Sequence, residues 1–162
     1  MLGIALSRAR NRGAAIRAIE ERGGTYGIQM IGPSWLRSWI DDEKCFYDAI
    51  RVSFGPACEG YDPRRPFTDE ELAQVVAHLN AFPSFSTLSL SRSDVTDDGL
   101  RHLHRLRNLE YLRLRATSIS DQGLQHLATL PNLKKVELHR TNVTDAGIAE
   151  LERSLPHCEI AR

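Results

Sequence analysis

A 24-residue period in the C-terminal part of the chain is the feature that most limits what it can fold into. Residues 95–118 read VTDDGLRHLHRLRNLEYLRLRATS, and residues 119–142 read ISDQGLQHLATLPNLKKVELHRTN. Ten of the 24 aligned positions are identical, among them Asp97/Asp121, Gly99/Gly123, Leu100/Leu124, Asn108/Asn132 and Thr117/Thr141. The pattern extends both ways. Phe67-Thr-Asp-Glu-Glu-Leu72 opens a 28-residue version upstream, and Val143-Thr-Asp-Ala-Gly-Ile148 opens a last unit that runs to Arg162. Self-similarity at a fixed short period points to a stack of like units.

Each unit can be read from its residues. Thr68, Thr96, Ser120 and Thr144 stand where a hydroxyl caps a helix start. Thr68 with Glu71 has the spacing of a capping box. Asp69, Asp97, Asp121 and Asp145 follow in the first turn, where the helix dipole favours negative charge. Leu100, Leu103 and Leu106 make an apolar helical stripe, repeated by Leu124, Leu127 and Leu130. A turn at Pro83, Asn108 or Pro131-Asn132 leads into a short alternation, Leu88-x-Leu90, Leu112-x-Leu114 and Val136-x-Leu138, which predicts strands with one buried face. One helix and one strand cannot close a core alone, whereas stacked units can, with parallel strands on one side and helices on the other. Ser93, Thr117 and Thr141, three residues after the last strand leucine, are expected to bond turn backbone between units.

The consensus L-x-x-L-x-L-x-x-T-x-[VI]-[TS]-D-x-G-L-x-x-L resembles the leucine-rich-repeat family, and within it the bacterial short-repeat type with T-D-x-G-L units. The resemblance covers residues 67–162. It implies an α/β fold: a leucine-rich-repeat solenoid with a parallel concave sheet, convex helices and an N-terminal α/β cap. Departures are Glu71 where later units have glycine, Val136 for leucine, and a short last unit. There Leu155-Pro-His-Cys158 stands for Leu130-Pro-Asn-Leu133, and the strand register after Cys158 is left open.

The expected organisation is an N-terminal extension (1–12), a capping region with the first strand and a loop (13–66), and the repeats (67–162). In the cap, Ala14–Arg22 reads as a helix stopped by Gly23-Gly24. Thr25–Met30 alternates as a strand, and Ser34–Ile40 reads as a helix carrying Trp35 and Trp39. Those two are expected to cover the first unit, with an aromatic binding patch as the alternative. Ile50–Phe54 reads as the first strand of the stack.

The charges balance, with 21 Lys and Arg against 21 Asp and Glu, so no global field draws the chain to nucleic acid or to a membrane. Cys45, Cys58 and Cys158 form no CxxC pair and read as reduced thiols. No apolar run reaches the ~18 residues of a membrane span, and a cytoplasmic location is expected from the sequence as it stands. The resemblance implies an alternative. Related proteins carry such a cap just after a single membrane helix, which would place an anchor upstream of Met1.

No GxSxG, HExxH, P-loop, GxGxxG or CxxC motif occurs. The histidines show no ligand spacing, and no cofactor, metal or small-molecule substrate is expected. Enzymatic chemistry would have to come from the loop carrying Cys58, Glu59, Tyr61 and Asp62, so a non-enzyme is expected. Alternation exposes Thr87, Ser89 and Ser91 on one strand, Tyr111, Arg113 and Arg115 on the next, then Lys135, Glu137 and His139, with Arg140 just past the strand end. Arg113 beside Glu137 reads as a salt bridge, while Arg115, Lys135, His139 and Arg140 show no acidic neighbour. Tyr111 adds an aromatic of the kind enriched at interface anchors. The expected function is therefore protein–protein interaction, with an acidic partner held on the concave strand face. The alternative is a structural or self-associating unit.

Overall fold

The structure, a computed structural model, describes residues 2–30, 47–54 and 66–162. The expected Ser34–Ile40 helix with Trp35 and Trp39, together with Cys45, Cys58, Glu59, Tyr61 and Asp62, lies outside the described residues. The chain is α/β. Helix α1 spans Leu2–Glu20, followed by strands β1 (Thr25–Met30) and β2 (Tyr47–Ser53). Then come α2 (Asp69–Leu79), β3 (Thr87–Ser89), α3 (Asp97–Leu100, continued as a 3-10 turn over Arg101–Arg105) and β4 (Tyr111–Arg113). Helix α4 (Asp121–Leu127), β5 (Lys135–Glu137), α5 (Asp145–Ser154) and β6 (Glu159–Ala161) complete it.

One six-stranded sheet runs in chain order, β1-β2-β3-β4-β5-β6. Strand β1 is antiparallel to β2, and every later pair is parallel. The register follows the sequence period. Leu88 lies beside Leu112 and Leu112 beside Val136, each pair 24 residues apart. The same step places Val136 beside Ile160, which settles the register after Cys158.

The apolar positions share one interior. Val52, Leu88, Leu112 and Val136 from the strands are at most 1% exposed, as are Leu72, Leu100, Leu103 and Leu127 from the helices. All belong to a single cluster. Burying such a side chain fully stabilises by about 1.5–3 kcal/mol, so the row that joins the strands also holds the helices. The spacing of three in Leu100, Leu103 and Leu106 suits a 3-10 turn, in which residues i and i+3 share a face.

Helix α1 is longer than the 14–22 segment that the sequence suggested, and it runs unbroken through the boundary between residues 12 and 13. Residues 2–12 hold leucine, alanine and arginine, all strong helix formers, and no proline. Ala15, Ile16 and Ile19 on α1 are fully buried, and Arg12 Nε donates to the Ala81 carbonyl at 3.3 Å. The helix therefore covers the first unit. Gly23, at φ 64°, ends it; Gly24 N–H donates to the Ile19 carbonyl and Gly23 N–H to that of Glu20, both at 3.0 Å.

The T-D-x-G motif does more than start helices. Asp69 accepts the Thr96 backbone N–H at 2.8 Å and its hydroxyl at 2.6 Å. Asp97 does the same for Ser120 at 2.8 and 2.5 Å, and Asp121 for Thr144 at 2.8 and 2.6 Å. Each aspartate thus clasps the helix start of the next unit. A Cβ built on Gly99, Gly123 or Gly147 would overlap the carboxylate of Asp69, Asp97 or Asp121 respectively. Glycine at that position is the space the carboxylate occupies. In the first of these units Glu71 stands at the glycine position, accepting from the Thr68 N–H at 3.2 Å in a capping box.

A second tie links the turns: Asn108 Nδ2 donates to the Pro83 carbonyl at 3.3 Å and Asn132 Nδ2 to that of Arg107 at 2.8 Å. The expected inter-unit role of Ser93, Thr117 and Thr141 is corrected. Each hydroxyl donates at 2.7 Å to the carbonyl of Leu90, Leu114 or Leu138 within its own unit. That carbonyl lies three residues back and is the nearest acceptor once the chain turns. Arg92, Ala116 and Arg140 make the turn in the left-handed region, at φ 59°, 54° and 58°. Among the described residues, no helix is long and apolar enough to cross a membrane.

Two outcomes test the aspartate joint. Gly123→Ala should destabilise by about 1–3 kcal/mol through overpacking, and Asp97→Ala should cost a similar amount by orphaning the Ser120 N–H. In urea unfolding the double variant should be less destabilised than the sum of the two, and strict additivity would show that the residues are not coupled. The Thr144 hydroxyl first, then its backbone N–H, hold the Asp121 carboxyl below its usual range. Its contribution is therefore full above the unfolded value of about 3.9 and is lost as pH falls through the lower folded value. Asp121→Asn should flatten the acid limb of a plot of melting temperature against pH.

Candidate interaction surface

The sheet has two faces because successive strand residues point opposite ways. One face carries Leu88, Leu112 and Val136 into the core. The other carries a lateral row across five strands: Arg51, Thr87, Tyr111, Lys135 and Glu159. A second row, two residues on, holds Ser53, Ser89, Arg113, Glu137 and Ala161. Backbone pairing continues past the strand ends, with Arg92 N–H donating to the Arg115 carbonyl at 2.8 Å and Ala116 N–H to that of His139 at 2.8 Å. Arg115 and His139 therefore extend the same face.

The structure thus gathers Tyr111, Arg113, Arg115, Lys135, Glu137 and His139 on one face. Arg140 is exposed and sits in the left-handed turn beyond it, outside the alternation. Tyr111, at 42% exposure, is the large hydrophobic side chain left open to solvent among the described residues.

The ion pairs differ from expectation at two positions. Arg113 Nε meets Glu137 Oε1 at 3.3 Å, as the alternation suggested. Arg115, expected to lack an acidic neighbour, reaches the other oxygen of Glu137 at 4.0 Å, because one long side chain spans the step between rows. Lys135 also has a partner, Glu159 Oε1 at 2.5 Å. That hydrogen bond raises the lysine's proton affinity above its ordinary value. It went unread because Cys158 replaces the leucine that marks the strand approach in other units, hiding β6. His139 Nδ1 is buried without a hydrogen-bond partner.

Arg51 and Glu159 are the residues of this face that the sequence reading passed over. Arg51 precedes Val52 as Tyr111 precedes Leu112, so the periodicity contained the signal. Arg51, Thr87, Tyr111, Arg113, Lys135 and Glu137 line a shallow depression of about 290 Å³. Guanidinium, ammonium, phenol and hydroxyl groups surround its small floor. Among the described residues, no group of three or more His, Cys, Asp or Glu side chains could hold a metal ion. Burial raises the pKa of the Cys158 thiol, so it stays protonated at neutral pH.

No protein-family model matches the chain, and no curated protein matches it.

Proposed function

We propose that the chain is a leucine-rich-repeat solenoid of the T-D-x-G-L type that acts as a non-catalytic interaction module, binding a protein partner on the concave face of its sheet. The observation that carries this reading is the open row beside the core. Arg51, Tyr111 and Glu159 are exposed, Tyr111 is the sole large apolar group among them, and none of them belongs to the leucine core. A face built from parallel strands and held rigid by buried leucines presents side chains at fixed spacing, which lowers the ordering cost of binding. An aromatic flanked by arginines is the composition that interface anchors favour.

A second reading has its own observation. β6 is an edge strand of the sheet, and an unpaired edge can pair with another copy of the chain.

Tyr111→Ala combined with Arg115→Glu should abolish partner capture while leaving the melting temperature within a few degrees, since both side chains are exposed. Capture that survives this pair of changes sinks the concave-face reading. Light scattering over a concentration series decides the second reading, which predicts a mass that rises toward that of two chains. A constant single-chain mass removes it.

A further inference from the structure

Residue size varies sharply across the open face. Strand β3 contributes only small hydroxyl side chains, Thr87, Ser89 and, just past its end, Ser91. Its neighbours contribute Arg51 on one side and Tyr111, Arg113 and Arg115 on the other. Thr87 is only 8% exposed although it faces outward, because taller neighbours stand over it. The result is a trough along β3 with a hydroxyl floor, walled by Arg51 and Tyr111 on either side of Thr87 and, beyond it, by Arg113 and Arg115 on the β4 side, where β2 carries the small Ser53.

Building on the concave-face reading, we infer that this trough receives an extended acidic segment of the partner, with two carboxylates two residues apart. Width favours an extended chain. Strands β2 and β4 are two sheet spacings apart, about 9.5 Å between backbones, and across Thr87 the side chains of Arg51 and Tyr111 narrow that further. An α-helix with its side chains is about 10–12 Å across and does not fit between them.

Charge sets the chemistry. Lys135 and Glu159 neutralise one another at 2.5 Å. Among the described residues along the trough, Arg51, Arg113 and Arg115 face a single carboxylate, Glu137, which the latter two share at 3.3 and 4.0 Å. Two guanidinium groups offer about ten N–H donors between them, far more than one carboxylate accepts. The hydroxyls of Thr87, Ser89 and Ser91 add donors on the floor.

Spacing sets the motif. Arg113 and Arg115 are alternate residues of one extended segment, about 6.6 Å apart. A second extended segment lying alongside presents its own alternate side chains at that interval. Acidic residues at i and i+2 therefore meet both arginines, whereas those at i and i+1 point to opposite sides. Glu137 competes with the ligand for the same guanidinium groups.

Fluorescence anisotropy with labelled, end-blocked ten-residue peptides tests this on the full chain. Three peptides differ only in carrying glutamates at i and i+2, glutamates at i and i+1, or glutamines at the first pair of positions. At low salt the i, i+2 peptide should bind about tenfold tighter than the glutamine peptide, and clearly tighter than the i, i+1 peptide. Glu137→Gln should tighten it severalfold. Arg113→Glu with Arg115→Glu should remove the preference and transfer it to a peptide with lysines at i and i+2. Arg105→Glu, an exposed change outside the trough, should leave the preference unaltered. Equal binding of the three peptides, indifference to glutamate spacing, or a preference that survives the double reversal overturns the inference. Partner capture lost in the Tyr111→Ala/Arg115→Glu variant would still support the concave-face reading in that case, so the two ideas fail separately.

Discussion

The carboxylates of Asp69, Asp97 and Asp121 are where one unit recognises the next. Leucines supply the larger driving force, but burial is non-directional and would tolerate units sliding or rotating against each other. A carboxylate that must take one backbone N–H and one hydroxyl from the following helix start, over a glycine that leaves it room, permits a single arrangement. The same pair of bonds recurs at three successive joints with distances that agree to within 0.1 Å. Strand register and helix packing both follow from that alignment, and the open face inherits its spacing.

How the face is charged depends on the last strand. Lys135 and Arg115 read as free cations while β6 is ignored and each unit is taken alone. Once Glu159 stands beside Lys135 and Glu137 is shared by two arginines, the positive character shifts toward β2, β3 and β4. The basic surface is smaller than the sequence suggested, but it is better defined. It centres on the strand whose outward residues are smallest.

Much of this was legible in the residues. The period placed Leu88, Leu112 and Val136 in one row, and alternation chose the outward set around Tyr111 correctly. Gly23-Gly24 gave the end of α1, and Thr25–Met30 gave β1. What escaped has physical reasons. The first part of α1 interleaves Gly3, Ser7, Asn11 and Gly13 with helix formers and carries no regular apolar stripe, so the periodicity marks only its later turns. An aspartate in a first helical turn has a sufficient local explanation in the helix dipole. Its bond to a residue 23 or 27 positions away is visible only when the glycine of the next unit is read with it. Cys158, in place of a leucine, blurs the pattern at the approach to the last strand, which concealed the neighbour of Lys135.

Glu71 gives the stack a direction. Every joint is accepted by an earlier unit and donated by a later one, and Glu71 both fills the glycine gap and occupies the Thr68 N–H. Of the helix starts described, that of α2 is capped within its own helix, whereas those of α3, α4 and α5 are each held by the helix before. At the other end Asp145 keeps a carboxylate whose side chain is 97% exposed and is met by Arg162, a contact that a Ser or Thr helix start could replace. Each such joint advances the sheet by one strand spacing, about 4.8 Å. The three joints therefore all face one way along the sheet, each carboxylate turned toward the later helix start.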